Sequence, residues 1–168
     1  DMWIKKRKWG NLAYIKGTKV VAHIPDRLSQ AVLTDAISDA AVDFINRHKG
    51  ERFFAYVPFA AVHNPKCVLK DRQEKAAALG LDKPDLAAQV MEIDACVGRV
   101  MDTLREHGID DNTLVFFTND NGGGNRGHRG GFIPLRGGKF GPKYEGHMRM
   151  ATLAWWPGKI PAGSVCSE

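Results

Sequence analysis

Cysteine is scarce in this chain and carries no pattern. Cys67, Cys96 and Cys166 are odd in number and far apart, and none belongs to a Cys-x-x-C pair. Neither a disulfide framework nor a thiolate metal site can be read from them. Long apolar runs are missing too: nothing approaches the ~20 residues that span a bilayer. The charged start, DMWIKKRKWG, leads into no apolar signal core. A membrane partner and a targeting segment within these residues are therefore not expected. There is no internal repeat and no low-complexity linker. What remains is 168 residues, 43% hydrophobic and 26% charged, fitting one globular domain or a piece of a larger one.

Charge of one sign is in excess, with a net +5. It concentrates in two places. Lys5, Lys6, Arg7 and Lys8 form a terminal run, which is read as solvated surface. Arg126, His128, Arg129, Arg136, Lys139 and Lys143 form a second group interleaved with glycine. That interleaving brings backbone and cations close together, so the second group is the candidate for an anionic ligand.

Periodicity gives the fold class. TDAISDAAVDFINRHKG places Ile37, Ala41, Phe44 and Ile45 on one helical face, with Thr34 or Ser38 as N-cap and Gly50 beyond the end. RFFAYVPF follows as a continuous apolar run, expected to be a strand buried on both faces and to end before His63. A longer helix runs from Pro84 to Gly108, with a stripe of Leu86, Val90, Ile93, Val97, Val100, Met101 and Leu104. Asp110, Asp111 and Asn112 turn the chain into TLVFFT, a second buried strand that delivers Asn119, Asp120, Asn121 and Gly122. ATLAWW reads as a third strand, while residues 1–27 show no strong period. Two helix-to-strand units imply an α/β fold with a mostly parallel sheet flanked by helices. Ligands of such sheets gather outside the strands' carboxyl ends.

Those ends carry the chemistry-bearing residues. Asp120 and Asn121 offer a carboxylate beside an amide carbonyl, hard oxygen donors that suit calcium or magnesium. The same pair also closes strands in Asx turns, its commoner role. His63, in His-Asn-Pro, has its neighbour Asn64 restricted by Pro65. Lone histidines are more often structural, but this one lies at the predicted ligand edge. Lys139 sits in LRGGKFG, yet a phosphate-binding P-loop is excluded because Ile133 and Phe140 occupy positions that need Gly and Ser or Thr. Glu145 and Arg149, four apart, are expected to pair as a structural clamp.

VFFTNDNG followed by PLRGGKFGPKYEGHMRMATLAWWPGKIPAG resembles the sulfatase family of the alkaline-phosphatase superfamily, in both order and spacing. Upstream, the segments ending in VHNP and leading into TNDNG are also similar to that family, so the likeness is strongest over residues 28–165 of a partial catalytic domain, residues 1–168. The resemblance implies that Asp120 and Asn121 are two ligands of a calcium ion that also meets the sulfate. Lys139 and His63 would contact the sulfate group or the leaving oxygen. It further implies a sulfated small molecule or glycan as substrate, no nucleic acid, and an extracytoplasmic location. Asn121 stands where related phosphatases place histidine, which favours an all-oxygen site.

The departures are specific. The family's nucleophile is a formylglycine made from the cysteine of Cys-x-Pro-Ser-Arg, and none of the three cysteines has that context. The paired aspartates of the family's first strand are absent as well. The chain thus resembles the later part of a sulfatase catalytic domain and is expected to need the amino-terminal part of that domain, without which it should be inactive. Asn119 replaces a common serine, and His147 replaces a glycine whose φ, if positive, disfavours a side chain. Arg126, His128 and Arg129 match no family position. Two other functions compete: a phosphate or phosphonate ester hydrolase of the same superfamily, and a non-catalytic polyanion-binding module.

Overall fold

The computed structural model describes residues 12–81, 83–123, 135–139 and 143–166. They fall into two compact units, one ending at His107 and the other starting at Gly108.

The first unit opens with a hairpin that has no counterpart in the sequence expectations. Strands β1 (Leu12–Lys16) and β2 (Lys19–Ile24) pair antiparallel across Gly17 and Thr18. Gly17 supplies the positive φ, +62°, that the two-residue turn requires. Helix α1 (Arg27–Ala31) follows, and Asp26 caps it by accepting the Ser29 amide at 2.7 Å.

Helices α2 (Leu33–His48), α3 (Lys70–Ala78) and α4 (Pro84–Glu106) form the body of this unit, with α4 packed on both others. Thr34 and Ser38 do not cap α2; they lie inside it and are buried, on a face shared with Ala41 and Ile45. At the crossing, the Ser38 hydroxyl donates to the Cys96 carbonyl at 3.2 Å, and the Cys96 thiol donates to the Thr34 carbonyl at 3.7 Å. Helix α4 forms over the expected residues but turns a different face inward. Ala88, Gln89, Glu92, Cys96, Thr103 and Leu104 are buried, whereas Val90 stays 52% exposed. Ion pairs dictate that choice. Arg72 of α3 bridges Asp35 of α2 and Glu92 of α4, and Arg99 of α4 reaches Asp35 and Asp39 of α2. A charged group is buried only where its partners are, so the helices turn their paired residues toward each other.

The run RFFAYVPF is not a strand: residues 52–59 are irregular, with Phe54 88% and Tyr56 80% exposed. A strand needs a neighbour for its amides and carbonyls, and no described segment pairs with this one. Phe53, Val57 and Phe59 are half-buried, Phe53 edge-on to Phe44 of α2 at 5.8 Å.

In the second unit a 3-10 turn, Asp110–Asn112, leads into β3 (Val115–Phe117), which pairs antiparallel with β4 (Leu153–Trp155). The Thr118 and Thr152 hydroxyls, 2.8 Å apart, extend the ladder by one position, and the Trp156 indole donates to the Asp111 carbonyl at 2.9 Å. Strand β3 is where the sequence places it, but it is not buried, with Phe116 63% exposed. Both ladders of the described residues are antiparallel, so the helix-to-strand units do not meet in a parallel pair here. Helix α5 (Glu145–Met148) completes the unit. No described helix is long and apolar enough to cross a membrane.

Candidate functional site

Asp120 and Asn121 leave the β3 end as expected, Asp120 exposed and Asn121 half-buried. What fixes them comes next in the chain. Gly122 is buried, and its amide donates to the His147 carbonyl at 3.1 Å. The Gly123 carbonyl then accepts the Lys139 amide at 2.7 Å. Lys139 is thereby tied through its main chain to the loop that carries Asp120 and Asn121.

Glycine makes this joint possible. A Cβ on Gly122 would run into the Gly146 carbonyl oxygen, and a Cβ on Gly146 would run into the Gly137 carbonyl oxygen. Gly137, at φ +83°, lies against the Tyr144 side chain. The Gly146 amide donates to the Arg136 carbonyl at 2.9 Å, closing the link between the 136–139 turn and α5. Three backbones approach more closely than any side chain permits. His147 itself is a helical residue of α5, and the crowded glycine is its neighbour Gly146. Arg149 and Glu145 form the expected clamp, 3.3 Å apart.

His63 stands on the first unit, in a loop tied down by three bonds. Its amide donates to the Ala60 carbonyl at 3.1 Å, Lys66 Nζ donates to the Val62 carbonyl at 2.8 Å, and Arg27 Nη2 donates to the Lys66 carbonyl at 2.8 Å. Burial pushes the Lys66 ammonium down from its ordinary pKa, against the pull of Asp85. His63 Nδ1 is 2.7 Å from the Asn64 carbonyl. A carbonyl only accepts, so Nδ1 carries a hydrogen in this contact.

The structure therefore brings Asp120, Asn121 and Lys139 onto one scaffold and places His63 on another. No group of three or more His, Cys, Asp or Glu side chains converges as a metal site among the described residues. Asp120 and Asn121 carry oxygen donors of the hard kind that calcium takes. The basic residues divide. Arg136 and Lys143 flank Tyr144, with the Arg136 guanidinium 4.4 Å and Lys143 Nζ 5.3 Å from the ring centroid. Lys5, Lys6, Arg7, Lys8, Arg126, His128 and Arg129 lie outside the described residues. Sequence reading overlooked Tyr144, Gly137 and Gly146; the signal was the spacing of glycines around a tyrosine.

Comparison with known proteins places this arrangement. The family model for sulfatases matches residues 5–167. The chain is 35% identical over 151 residues to N-acetylgalactosamine-6-sulfatase of Canis lupus familiaris, covering 84% of this chain and 27% of that protein. It is 38% identical over 148 residues to a sulfatase of Formosa agariphila, covering 79% and 26%. Among solved structures it is similar to the PsFucS1 sulfatase from Pseudoalteromonas sp., with TM-score 0.73 and 29% identity over 86% of this chain and 28% of that one. It also resembles Ps i-CgsB in complex with k-i-k-neocarrahexaose, with TM-score 0.68 and 28% identity over 89% and 31%. The chain spans about a quarter of the length of the curated relatives it matches. On the extent of the family match and these likenesses, the fold is α/β of the sulfatase kind, and the chain belongs to the sulfatase family.

Proposed function

We propose that this chain contributes part of the active site of a sulfate-ester hydrolase acting on a sulfated small molecule or glycan. The observation that carries the reading is the 2.7 Å bond from the Lys139 amide to the Gly123 carbonyl, which sets a lysine beside a loop bearing two hard oxygen donors. Asp120 and Asn121 would hold calcium, the remaining ligands coming from outside the described residues. Calcium, when bound, draws charge from the sulfate oxygens. Lys139 places an ammonium against the anionic group, where charge in sulfuryl transfer is stabilised by fixed cations. His63, with Nδ1–H held by the Asn64 carbonyl, would face the leaving oxygen as an imidazolium, whose Nε2–H gives that oxygen its proton. The nucleophile is assigned to residues outside this chain, since no cysteine here has the formylglycine context.

Glycan as the substrate class draws on the relatives, one named for N-acetylgalactosamine-6-sulfate and another solved with neocarrahexaose. The test is Asp120→Ala in the complete enzyme, assayed on matched aryl sulfate and aryl phosphate with and without calcium. Loss of calcium-dependent sulfate turnover is expected. Unchanged sulfate turnover removes Asp120 from the site, and a preference for the phosphate replaces the sulfatase reading with a phosphatase one. The isolated chain should turn over neither.

A further inference from the structure

Two cations sharing one aromatic ring are an unusual arrangement for a surface, because like charges close together repel. Arg136 lies 4.4 Å and Lys143 5.3 Å from the Tyr144 ring centroid, within the range in which a ring face attracts a cation. Both residues are exposed. Neither forms an ion pair among the described residues, and the acid nearest in sequence, Glu145, is engaged by Arg149 at 3.3 Å. The Tyr144 side chain packs directly on Gly137, where a Cβ would run into its Cβ and ring. The Arg136 carbonyl is also held by the Gly146 amide at 2.9 Å. Both cations thus lie over one ring without an ion-pairing acid among the described residues.

Position turns this into recognition. Arg136 is three residues before Lys139, a stretch of chain that reaches at most about 11 Å. We infer that Arg136 and Lys143, held on Tyr144, form a second anion subsite beside Lys139, which takes an additional sulfate or carboxylate carried by the same glycan. The inference rests on the proposed sulfate-ester reading and narrows its substrate class to multiply anionic oligosaccharides. Tyr144 supplies the platform, holding both cations ready before the ligand arrives, so less ordering is required on binding. Arg136 brings a planar fork suited to two sulfate oxygens, and Lys143 a point charge.

The experiment compares a monosulfated and a disulfated form of one disaccharide in the complete enzyme, measuring both binding by calorimetry and turnover. The wild-type enzyme should prefer the disulfated form. Lys143→Gln, which touches no backbone bond, should lower that preference about threefold, the size one exposed charge pair supports. Arg136→Gln with Lys143→Gln should lower it further, whereas Arg136→Lys, which keeps the charge, should retain most of it. Tyr144→Leu should weaken the preference with both cations still present. An unchanged ratio in the double variant, or equal losses on both disaccharides, overturns the subsite. If the binding preference behaves as stated while neither sugar is hydrolysed, the subsite stands and the hydrolase reading fails.

Discussion

Arg72 donates to the Glu92 carboxylate from α3 to α4, and the Glu92 side chain at the receiving end is 1% exposed. The same guanidinium reaches Asp35 of α2 at 2.7 Å, so one residue joins three helices. Replacing Arg72 by Met strands a buried carboxylate, and the expected loss is about 3–5 kcal/mol of stability at neutral pH, read by chemical denaturation. An effect within experimental error would show that Glu92 finds other partners on relaxation.

The pH dependence of that cluster has a definite sign. Burial raises the Glu92 pKa above its ordinary 4.5, outweighing the hydrogen bond from Thr34 and the Arg72 charge that lower it. A carboxyl group that holds its proton more tightly when folded favours folding at low pH, and that contribution fades as pH climbs through the raised value. The groups around it are Thr34 and Asp35 of α2 and Arg72 and Lys75 of α3. Thermal stability of the wild-type chain should therefore fall as pH rises above about 4.5, and Glu92→Gln should flatten the profile over that range. A profile unchanged by the substitution would assign the slope to other groups.

Gly146→Ala tests the joint rather than the chemistry. Its new methyl group meets the Gly137 carbonyl oxygen, so α5 and the 136–139 turn have to separate, and the 120–123 loop that α5 holds through the Gly122 amide is disturbed with them. In the complete enzyme, calcium affinity and sulfate affinity should both fall, at least tenfold, which is about 1.4 kcal/mol each. Loss of one without the other would mean that the two sides of the joint are independent.

Exposed aromatic residues carry a consequence for the isolated chain. Phe54 is 88% and Tyr56 80% exposed beside an unpaired backbone, a combination that invites association. Size-exclusion chromatography of the isolated chain should show self-association, and Phe54→Ser with Tyr56→Ser should reduce it. A monodisperse wild-type chain would contradict this.

In the core, Leu104 is 2% exposed. Leu104→Ala should cost about 2–5 kcal/mol, the range for a large-to-small change at a buried site, measured by urea unfolding.

Much of the fold was legible because local signals and final structure agree. Pro84 at the start of α4, a strand at Val115–Phe117 and a turn at Asp110–Asn112 all lie where the residues put them. The β1–β2 hairpin was not read from the sequence: its first strand, LAYIK, has one β-branched residue, and Gly17–Thr18 is a short turn signal. What the sequence could not show is which face of α4 would be buried. Periodicity marks the apolar stripe, whereas the ion pairs among Asp35, Arg72, Glu92 and Arg99 are visible only once three helices are laid side by side. The run at residues 52–59 shows the same limit: apolar content favours a strand, but the ladder partner decides whether one forms. For the site, motif spacing singles out Asp120, Asn121 and Lys139 as candidates, whereas the close backbone contacts that join their loops show only as glycines spaced around Tyr144, since a missing Cβ leaves no periodic trace.

The bond between residues 123 and 139 uses the amide of Lys139 and leaves its side chain out. Geometry and reactivity at that position are thus set by different atoms of one residue. A change of head group at residue 139 leaves that amide bond available, so the position is open to substitution in a way that Gly122 and Gly146, which any Cβ would crowd, are not.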